Sequence, residues 1–307
     1  MRFKPLLVLI LISGIITVAV TWKRYYPNLQ VLWKVGLLPA SASVVLDQGV
    51  PSEYQGQLQL FILIGQSNMS GRGSLIFPAA WHPNIFEFGN DYRWRVATEP
   101  IDSTVNQIDQ VSMEDANERA GFSPALSFAH VLVKTKPNML IGLIPCSKGN
   151  TTIEDWHRSL SYETLYGSCL ARVKAASPMG QVAGVLIFQG ESDALDPERF
   201  AYKSPSPTTY ATKFSIFVNH LRNDLAQPTL PVIFAQIGMT TTPDIFVNWK
   251  AVQTEQQMVH LPCTEMITTD DLPLRDFVHF TTDSYKIIGK RFAEAYLNLI
   301  ERYPGCA

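Results

Sequence analysis

The sequence predicts a three-layer α/β/α sandwich with a central parallel sheet. The segment Leu58–Leu63 is almost wholly apolar, and a strand that is apolar on both faces suits the middle of a sheet covered by helices on each side. Similar apolar runs then alternate with helical segments along the chain, which is typical of parallel strands joined by helices. Several strands end in short polar turns that contain glycine, and in a parallel sheet these turns lie along one edge.

The first 24 residues are predicted to be a membrane anchor or a signal segment. Leu6–Trp22 is an uncharged, mostly apolar run of 17 residues with basic residues on both sides. No small-x-small cleavage site lies directly after the run, and Trp22, Tyr25 and Tyr26 are typical of a membrane interface. We therefore expect an uncleaved anchor rather than a removed signal. A buried N-terminal helix is the alternative, but it would need a polar face that the run lacks.

Residues 25–55 are predicted to be a linker, and residues 56–303 one globular domain. The linker contains Pro27, Pro39 and Pro51 among serines and shows no sustained hydrophobic period. The rest of the chain shows no internal repeat, and its length fits a single large α/β domain.

A polar turn directly after the first strand holds the first candidate site residue. After Ile64 the sequence reads GQSNMSGRG, so Ser67 falls at the carboxyl end of a buried strand. Considered alone, Ser67 is more simply a turn residue or a helix N-cap. The turn also departs from the G-x-S-x-G elbow, because Met69 occupies the position of the second glycine.

Residues 78–121 are predicted to form a long irregular loop close to the site, with a short strand at 84–88. The segment is rich in Trp, Asn, Asp, Arg and Pro, and compact domains rarely keep such a loop without a functional reason. The elements that follow are better marked, since Ser123 can cap a helix whose first turn accepts Pro124. We expect helices at 123–136, 162–176, 209–226, 246–259 and 282–301, and strands at 139–144, 182–188, 231–237 and 266–269.

Three later polar segments complete the candidate site. Gly149 and Gln189 follow the strands predicted at 139–144 and 182–188, and the loop after the last strand carries Asp276 and His279. A serine that attacks a carbonyl group needs a base to take its proton, a group that orients the base, and donors for the oxyanion. His279 is the natural base, and Asp276 is close enough in sequence to bind its Nδ1–H. The other histidines lie in polar loops or helical stretches, where a surface or structural role is usual.

Four motifs together resemble the SGNH-type hydrolases, and within them the acetylxylan esterases and sialate O-acetylesterases that carry the SASA domain. The resemblance implies a flavodoxin-like SGNH hydrolase fold, with Ser67 as nucleophile, His279 as base and Asp276 as its partner. It further implies an oxyanion hole formed by the N–H groups of Ser67 and Gly149 and by the side chain of Gln189. The motifs, in the order of the family, are GQSNMSG at 65–71, PCSKGNTTIEDW at 145–156, FQGESDA at 188–194 and RDFVHF at 275–280.

Two positions depart from the pattern of the family. Asn150 stands where relatives often have a second glycine. Gln189 replaces the asparagine of the broader superfamily, as is usual in this esterase group, and its amide can donate the same hydrogen bond. The residues expected in supporting roles are Gln66, Asn68 and Glu191, of which Glu191 would brace its turn or share in orienting the base.

Composition and charge limit the classes of partner and cofactor. With 46% hydrophobic and 17% charged residues, the chain is typical of a globular protein rather than a disordered or coiled-coil one. The formal net charge is -2, and four of the 25 basic residues lie in the first 25 positions, so the remainder is acidic and nucleic acid is not an expected partner. A serine mechanism of this kind requires no metal and no organic cofactor.

The four cysteines bear on the cellular compartment. None has the C-x-x-C spacing of a zinc or redox site. They would form two disulfides in an oxidising compartment, with three pairings open, or remain as buried free thiols. Together with the N-terminal segment, disulfides predict a membrane-anchored or secreted protein whose catalytic domain lies outside the cytoplasm.

The resemblance leads us to expect an O-acetylesterase that acts on acetylated sugars or polysaccharide through an acyl-enzyme intermediate. Trp81, Tyr92 and Trp94 of the long loop would stack on sugar rings or pack locally. One alternative is an esterase, lipase or acyltransferase for other small acyl esters. Another is a non-catalytic carbohydrate-binding protein on a hydrolase scaffold, against which the intact serine, aspartate and histidine set argues.

Overall fold

The computed structural model describes residues 49–77, 79–114 and 118–306. The predicted anchor, and the predicted linker up to residue 48, lie outside these residues. Within the described ranges, no helix is both long and apolar enough to cross a bilayer. The strands are β1 (Leu58–Gly65), β2 (Ile85–Phe88), β3 (Trp94–Val96), β4 (Ile141–Pro145), β5 (Gly180–Phe188), β6 (Val232–Ala235) and β7 (Thr264–Ile267). The α-helices are α1 (Ser67–Ser70), α2 (Ala125–Thr135), α3 (Leu165–Ala176), α4 (Tyr210–Asp224), α5 (Trp249–Gln257) and α6 (Thr282–Arg302).

The strands form one seven-stranded sheet in the order β3-β2-β4-β1-β5-β6-β7. Every neighbouring pair is parallel except β2 and β3, which are antiparallel. The apolar strand β1 lies at the centre, between β4 and β5. The predicted parallel sheet is confirmed, and the turns that follow β1, β4, β5 and β7 lie at the same edge.

The edge strand β3 is a difference from the sequence prediction, which placed residues 78–121 in a loop with one short strand. Phe88 pairs with Trp94 and Phe86 with Val96, so β2 and β3 form a hairpin. Tyr92, in the connecting turn, has a positive φ of 59°. A strand of three residues on one edge carries too few positions to show a period of two, which is why the sequence pattern misses it.

Two helical layers cover the sheet, as the sandwich prediction requires. On one face, Phe61 of β1 packs against Phe128 of α2 and Tyr296 of α6, with ring centroids 4.9 and 5.1 Å apart. On the other face, Phe234 of β6 packs against Phe214 of α4, with centroids 4.8 Å apart. Alternate residues of the strands thus enter two separate cores, which explains why the strands are apolar on both faces.

The helices begin close to their predicted positions, and two of them begin three residues later than predicted. The predicted helix at 162–176 begins at Leu165, because the Thr164 side chain accepts a hydrogen bond from the Gly167 N–H. The predicted helix at 246–259 begins at Trp249, and the residues before it form a turn. The last helix is capped by Thr281, whose hydroxyl accepts from the Ser284 N–H.

All four cysteines are paired, which selects one of the three open pairings and excludes free thiols. Cys146, directly after β4, is bonded to Cys169 of α3. Cys263, directly before β7, is bonded to Cys306, beyond the end of α6. One disulfide therefore fixes the turn that follows β4, and the other fixes the C-terminal end of the last helix to the sheet.

Candidate active site

The turn after β1 places Ser67 at the edge of the central strand. The φ of Gly65 is 145°, and a Cβ there would collide with the carbonyl oxygen of Phe188 on the neighbouring strand. The backbone turns back at this point, with the Gln66 N–H still bonded to the Phe188 carbonyl at 3.0 Å. Ser67 then begins the one-turn helix α1, which ends at Gly71 with a φ of 82°. Glycine at 65 and 71 therefore allows the sharp turn that brings the serine to the sheet edge.

The loop before α6 brings His279 and Asp276 to this serine. His279 Nε2 lies 2.8 Å from Ser67 Oγ, and His279 Nδ1 lies 2.9 Å from Asp276 Oδ2. The other carboxylate oxygen of Asp276 accepts the N–H groups of Val278 and His279, at 3.1 and 2.8 Å. Backbone groups of its own loop therefore hold the Asp276 carboxylate in position beside the imidazole. The structure thus joins the three residues that the sequence predicted in one line of hydrogen bonds.

Electrostatics favour a neutral imidazole between the serine and the carboxylate. Burial lowers the pKa of His279 below its ordinary value, and the Asp276 carboxylate opposes this only in part. Partial burial raises the pKa of Asp276. The hydrogen bonds from the backbone N–H groups of Val278 and His279 and from the His279 ring lower it by more, so the pKa of Asp276 lies below its ordinary value. At neutral pH, Nδ1 then carries the proton toward Asp276, and Nε2 is free to accept the serine proton.

Asn68, a predicted supporting residue, ties the serine turn to both partners of the site. Its side-chain amide donates to Glu191 Oε1 at 2.5 Å and to the Val278 carbonyl at 3.1 Å. The Tyr285 hydroxyl of α6 donates to Asn68 Oδ1 at 2.6 Å. Because Val278 directly precedes His279, these hydrogen bonds fix the distance between the nucleophile turn and the histidine loop.

Glu191 is not a partner of His279 in this geometry. Its carboxyl group is buried beside Asn68, and one of its oxygens has no hydrogen-bond partner. Burial raises the pKa of Glu191 to about 7, and the bond from Asn68 opposes this only in part. Of the two roles expected for Glu191, the contacts match bracing of the turn, and the carboxylate that binds His279 Nδ1 is that of Asp276.

Two of the three predicted oxyanion donors have internal acceptors. The Gly149 N–H donates to Glu114 Oε1 at 2.8 Å. The same oxygen accepts from Ser70 Oγ at 3.1 Å and from Arg72 Nη2 at 3.0 Å. Glu114 comes from the long loop and is buried, and its contact with the turn after β4 has no local signal in the sequence.

The side chain of Gln189 connects two turns at the sheet edge. Its amide nitrogen donates to the Thr151 carbonyl at 3.1 Å and to Asp193 Oδ2 at 2.7 Å. Gln66, the remaining supporting residue, accepts the Ser192 N–H at 3.4 Å. Ser67 is the predicted donor whose N–H has no acceptor among the described residues.

The aromatic residues predicted to stack on sugar or to pack locally lie in different surroundings. Tyr92 and Trp94 pack against Phe88, with ring centroids 5.6 and 5.1 Å apart, so the local alternative describes them. Trp81 remains 41% exposed.

A different aromatic residue, Phe277, lies beside His279 and is exposed. An apolar residue between two polar site residues is the sequence signal that points to it. No cluster of three metal-binding side chains occurs among the described residues.

Known proteins resemble this chain in both sequence and fold. The family model of the sialic acid-specific acetylesterases, a group of carbohydrate esterases, matches residues 57–298. A probable carbohydrate esterase of Arabidopsis thaliana is 30% identical over 260 residues, which cover 78% of this chain and 90% of the relative. The X-ray structure of the protein from the same Arabidopsis locus superposes with a TM-score of 0.65 at 29% identity and covers 78% of this chain and 98% of that one.

Two more distant structures share the fold. A carbohydrate acetylesterase of Xanthomonas citri superposes with a TM-score of 0.60 at 19% identity, over 80% of this chain and 57% of that one. NanS superposes with a TM-score of 0.62 at 18% identity, over 81% of this chain and 99% of that one. The family model covers most of this chain, and the range that it matches contains Ser67, Asp276 and His279. The chain therefore belongs to the sialic acid-specific acetylesterase family of carbohydrate esterases.

Proposed function

We propose that the protein is a serine O-acetylesterase that hydrolyses acetyl esters on sugars or polysaccharide. The observation that carries this proposal is the continuous line of hydrogen bonds from Ser67 Oγ through the His279 ring to Asp276, at 2.8 and 2.9 Å. Membership of a carbohydrate esterase family supports an ester of a sugar as the substrate.

In the first half of the reaction, Ser67 Oγ attacks the carbonyl carbon of the acetyl group while His279 Nε2 accepts the serine proton. Asp276 stabilises the imidazolium that forms. The tetrahedral intermediate then breaks its bond to the leaving oxygen, and the proton on Nε2 passes to that oxygen. The products of this half are the free sugar hydroxyl and acetyl-Ser67.

In the second half, water replaces the sugar. His279 accepts a proton from the water as its oxygen attacks the acetyl carbonyl, and returns that proton to Ser67 Oγ as the acyl bond breaks. Acetic acid leaves, and the serine hydroxyl is restored. The ordered position of the imidazole between serine and carboxylate serves both halves.

The oxyanion hole of this proposal is centred on the Ser67 N–H, which is free to donate to the developing negative charge. The Gly149 N–H would turn from Glu114 or be shared with it. The Gln189 amide would likewise exchange one of its present acceptors, the Thr151 carbonyl or Asp193. An oxyanion attracts these N–H groups more strongly than a neutral carbonyl does, which favours the exchange for Gln189.

The test is hydrolysis of p-nitrophenyl esters of increasing chain length by the full-length protein. We expect the acetate to be the preferred ester and Ser67→Ala to lower kcat/KM by about a thousandfold or more. Ser74→Ala, which removes an exposed hydroxyl nearby, is the matched control and should keep the wild-type rate. Release of acetate from acetylated xylan and from O-acetylated sialic acid then distinguishes the two sugar classes.

Each other outcome selects a different function. Preference for long acyl chains would favour a lipase, and transfer of acetyl to an added sugar in place of water would favour an acyltransferase. Binding of acetylated glycan without hydrolysis would make the protein a non-catalytic member of the family. An active Ser67→Ala variant would overturn the serine mechanism.

A further inference from the structure

Phe277 is an exposed aromatic residue in contact with the candidate base. It lies between Asp276 and His279 in sequence, and its ring centroid is 5.8 Å from that of His279, with an angle of 60° between the planes. The residue is 45% exposed. The phenyl ring therefore leaves apolar surface in water directly beside the candidate base.

The ring is held in place from behind. Phe246 stacks against Phe277 with 6.3 Å between centroids and 19° between planes, and Phe246 is itself buried. Trp249 packs edge-on against Phe246, with centroids 5.4 Å apart, and its Nε1–H donates to the Gly238 carbonyl at 2.7 Å. The backbone of Phe277 is also fixed, since its carbonyl accepts the Thr241 N–H at 3.1 Å. The position of the Phe277 ring is therefore fixed before any ligand binds.

The segment that supports the ring also exposes apolar side chains of its own. The segment 238–249, which supplies Phe246 and the Thr241 contact, also carries Met239 and Val247, which are 48% and 52% exposed. Single exposed apolar residues are common on protein surfaces, so it is Phe277, which is supported from behind and contacts the candidate base, that points to a ligand site.

The reaction itself determines which part of the substrate reaches this surface. When the tetrahedral intermediate collapses, the proton on His279 Nε2 goes to the oxygen of the departing alcohol, so that oxygen must lie within hydrogen-bond reach of Nε2. The rest of the alcohol then extends across the groups that flank the imidazole. Phe277 is the flanking aromatic group, and the C–H face of a pyranose or furanose ring packs well on an aromatic face.

We propose that Phe277 is the platform for the leaving-group sugar and the residue that makes the enzyme prefer acetates of sugars to acetates of small alcohols. The proposal rests on the function proposed above and names the group that recognises its substrate. Phe277 would contact the alcohol part of the ester, which is bound only in the first half of the reaction.

The test compares two acetates with different alcohols, methyl xyloside monoacetate and ethyl acetate. Both esters form the same acetyl-Ser67, so a difference between them reports the leaving group alone. The quantity compared is kcat/KM for the xyloside acetate divided by kcat/KM for ethyl acetate. We expect Phe277→Ala and Phe277→Leu each to lower this ratio by about tenfold, and Phe277→Tyr to keep the wild-type ratio. Tyr303→Ala, which removes another exposed ring at the far end of α6, is the matched control and should change neither rate.

The possible results separate this inference from the function on which it rests. If Phe277→Ala and Phe277→Leu leave the ratio unchanged, even with both rates lowered, Phe277 has only a structural role and the inference is wrong. If the wild-type protein hydrolyses neither ester, the proposed function fails instead.

Discussion

Asp276 shows how a single residue is prepared for its role before any substrate arrives. One carboxylate oxygen takes the N–H groups of Val278 and His279, and the other is left to the imidazole. The sequence places Asp276 three residues before His279, and this spacing is what allows one turn to supply both contacts. From the sequence, Glu191 is also a candidate for orienting the histidine ring. In the structure it binds the Asn68 amide instead, because a buried carboxyl group needs a hydrogen-bond donor and this amide is within reach.

Gln189 provides a first test at the residue scale. Gln189 is a proposed donor to the oxyanion, so Gln189→Ala should lower kcat for p-nitrophenyl acetate by about a hundredfold to a thousandfold, less than the loss in Ser67→Ala. A loss below tenfold, with a clear fall in the free energy of unfolding, would mean that the amide serves only to join Thr151 and Asp193.

The pH dependence of activity tests the state of His279. The base must be unprotonated to accept the serine proton, and its pKa lies below the ordinary value of 6.5. We therefore expect kcat/KM for p-nitrophenyl acetate to rise with pH, with a midpoint below 6.5, and to be level at neutral pH.

Glu191→Gln is the control for this profile, because it keeps an oxygen for Asn68 and removes a carboxyl whose pKa is raised to about 7. The midpoint should stay where it is in the wild type. A midpoint above 6.5 would contradict the account of His279, and a midpoint that disappears in Glu191→Gln would assign the titration to Glu191.

At the scale of elements, the strands and helices were largely predictable because each carries its own pattern of apolar residues. Long amphipathic segments such as α6 and continuous apolar runs such as β1 need no tertiary information to be found. The hairpin strand β3 and the later starts of α3 and α5 were not predicted. The position of β3 depends on its partner strand, that of α3 on the cap at Thr164, and that of α5 on the turn before Trp249, rather than on a period in the sequence.

The two disulfides join elements in different parts of the sheet, and this difference is testable. They close segments with separations of 23 and 43 residues, so loss of either should lower the free energy of unfolding by about 3 to 4 kcal/mol. The double change Cys146→Ala/Cys169→Ala should also lower kcat/KM, because it frees the turn that carries Gly149. Cys263→Ala/Cys306→Ala should lower stability alone. Urea unfolding and p-nitrophenyl acetate hydrolysis below the unfolding transition measure the two effects, and equal losses of activity would contradict this division.

At the scale of the whole molecule, the site depends on the topology of the parallel sheet. Residues separated by more than two hundred positions meet because the turns after their strands lie at one edge, and for this reason the set of Ser67, His279 and Asp276 could be named from sequence. The two disulfides also agree with folding in an oxidising compartment.

Other features of the site required the folded chain. The bond from Gly149 to Glu114 joins segments whose contact no local motif records. The exposure of Phe277 follows from the way the segment 238–249 packs under its ring. In both cases the deciding quantity is a distance between parts of the chain that are remote in sequence, which neither periodicity nor turn chemistry contains.

Acetyl transfer to Ser67 is the central claim, and direct detection of the acyl-enzyme tests it most sharply. The protein is mixed with p-nitrophenyl acetate, quenched in acid during turnover, digested and analysed by mass spectrometry. We expect one acetyl group on the peptide that contains Ser67, and none on that peptide from Ser67→Ala. Steady turnover with no acetyl group on Ser67, or with the acetyl group on another residue, would contradict the account.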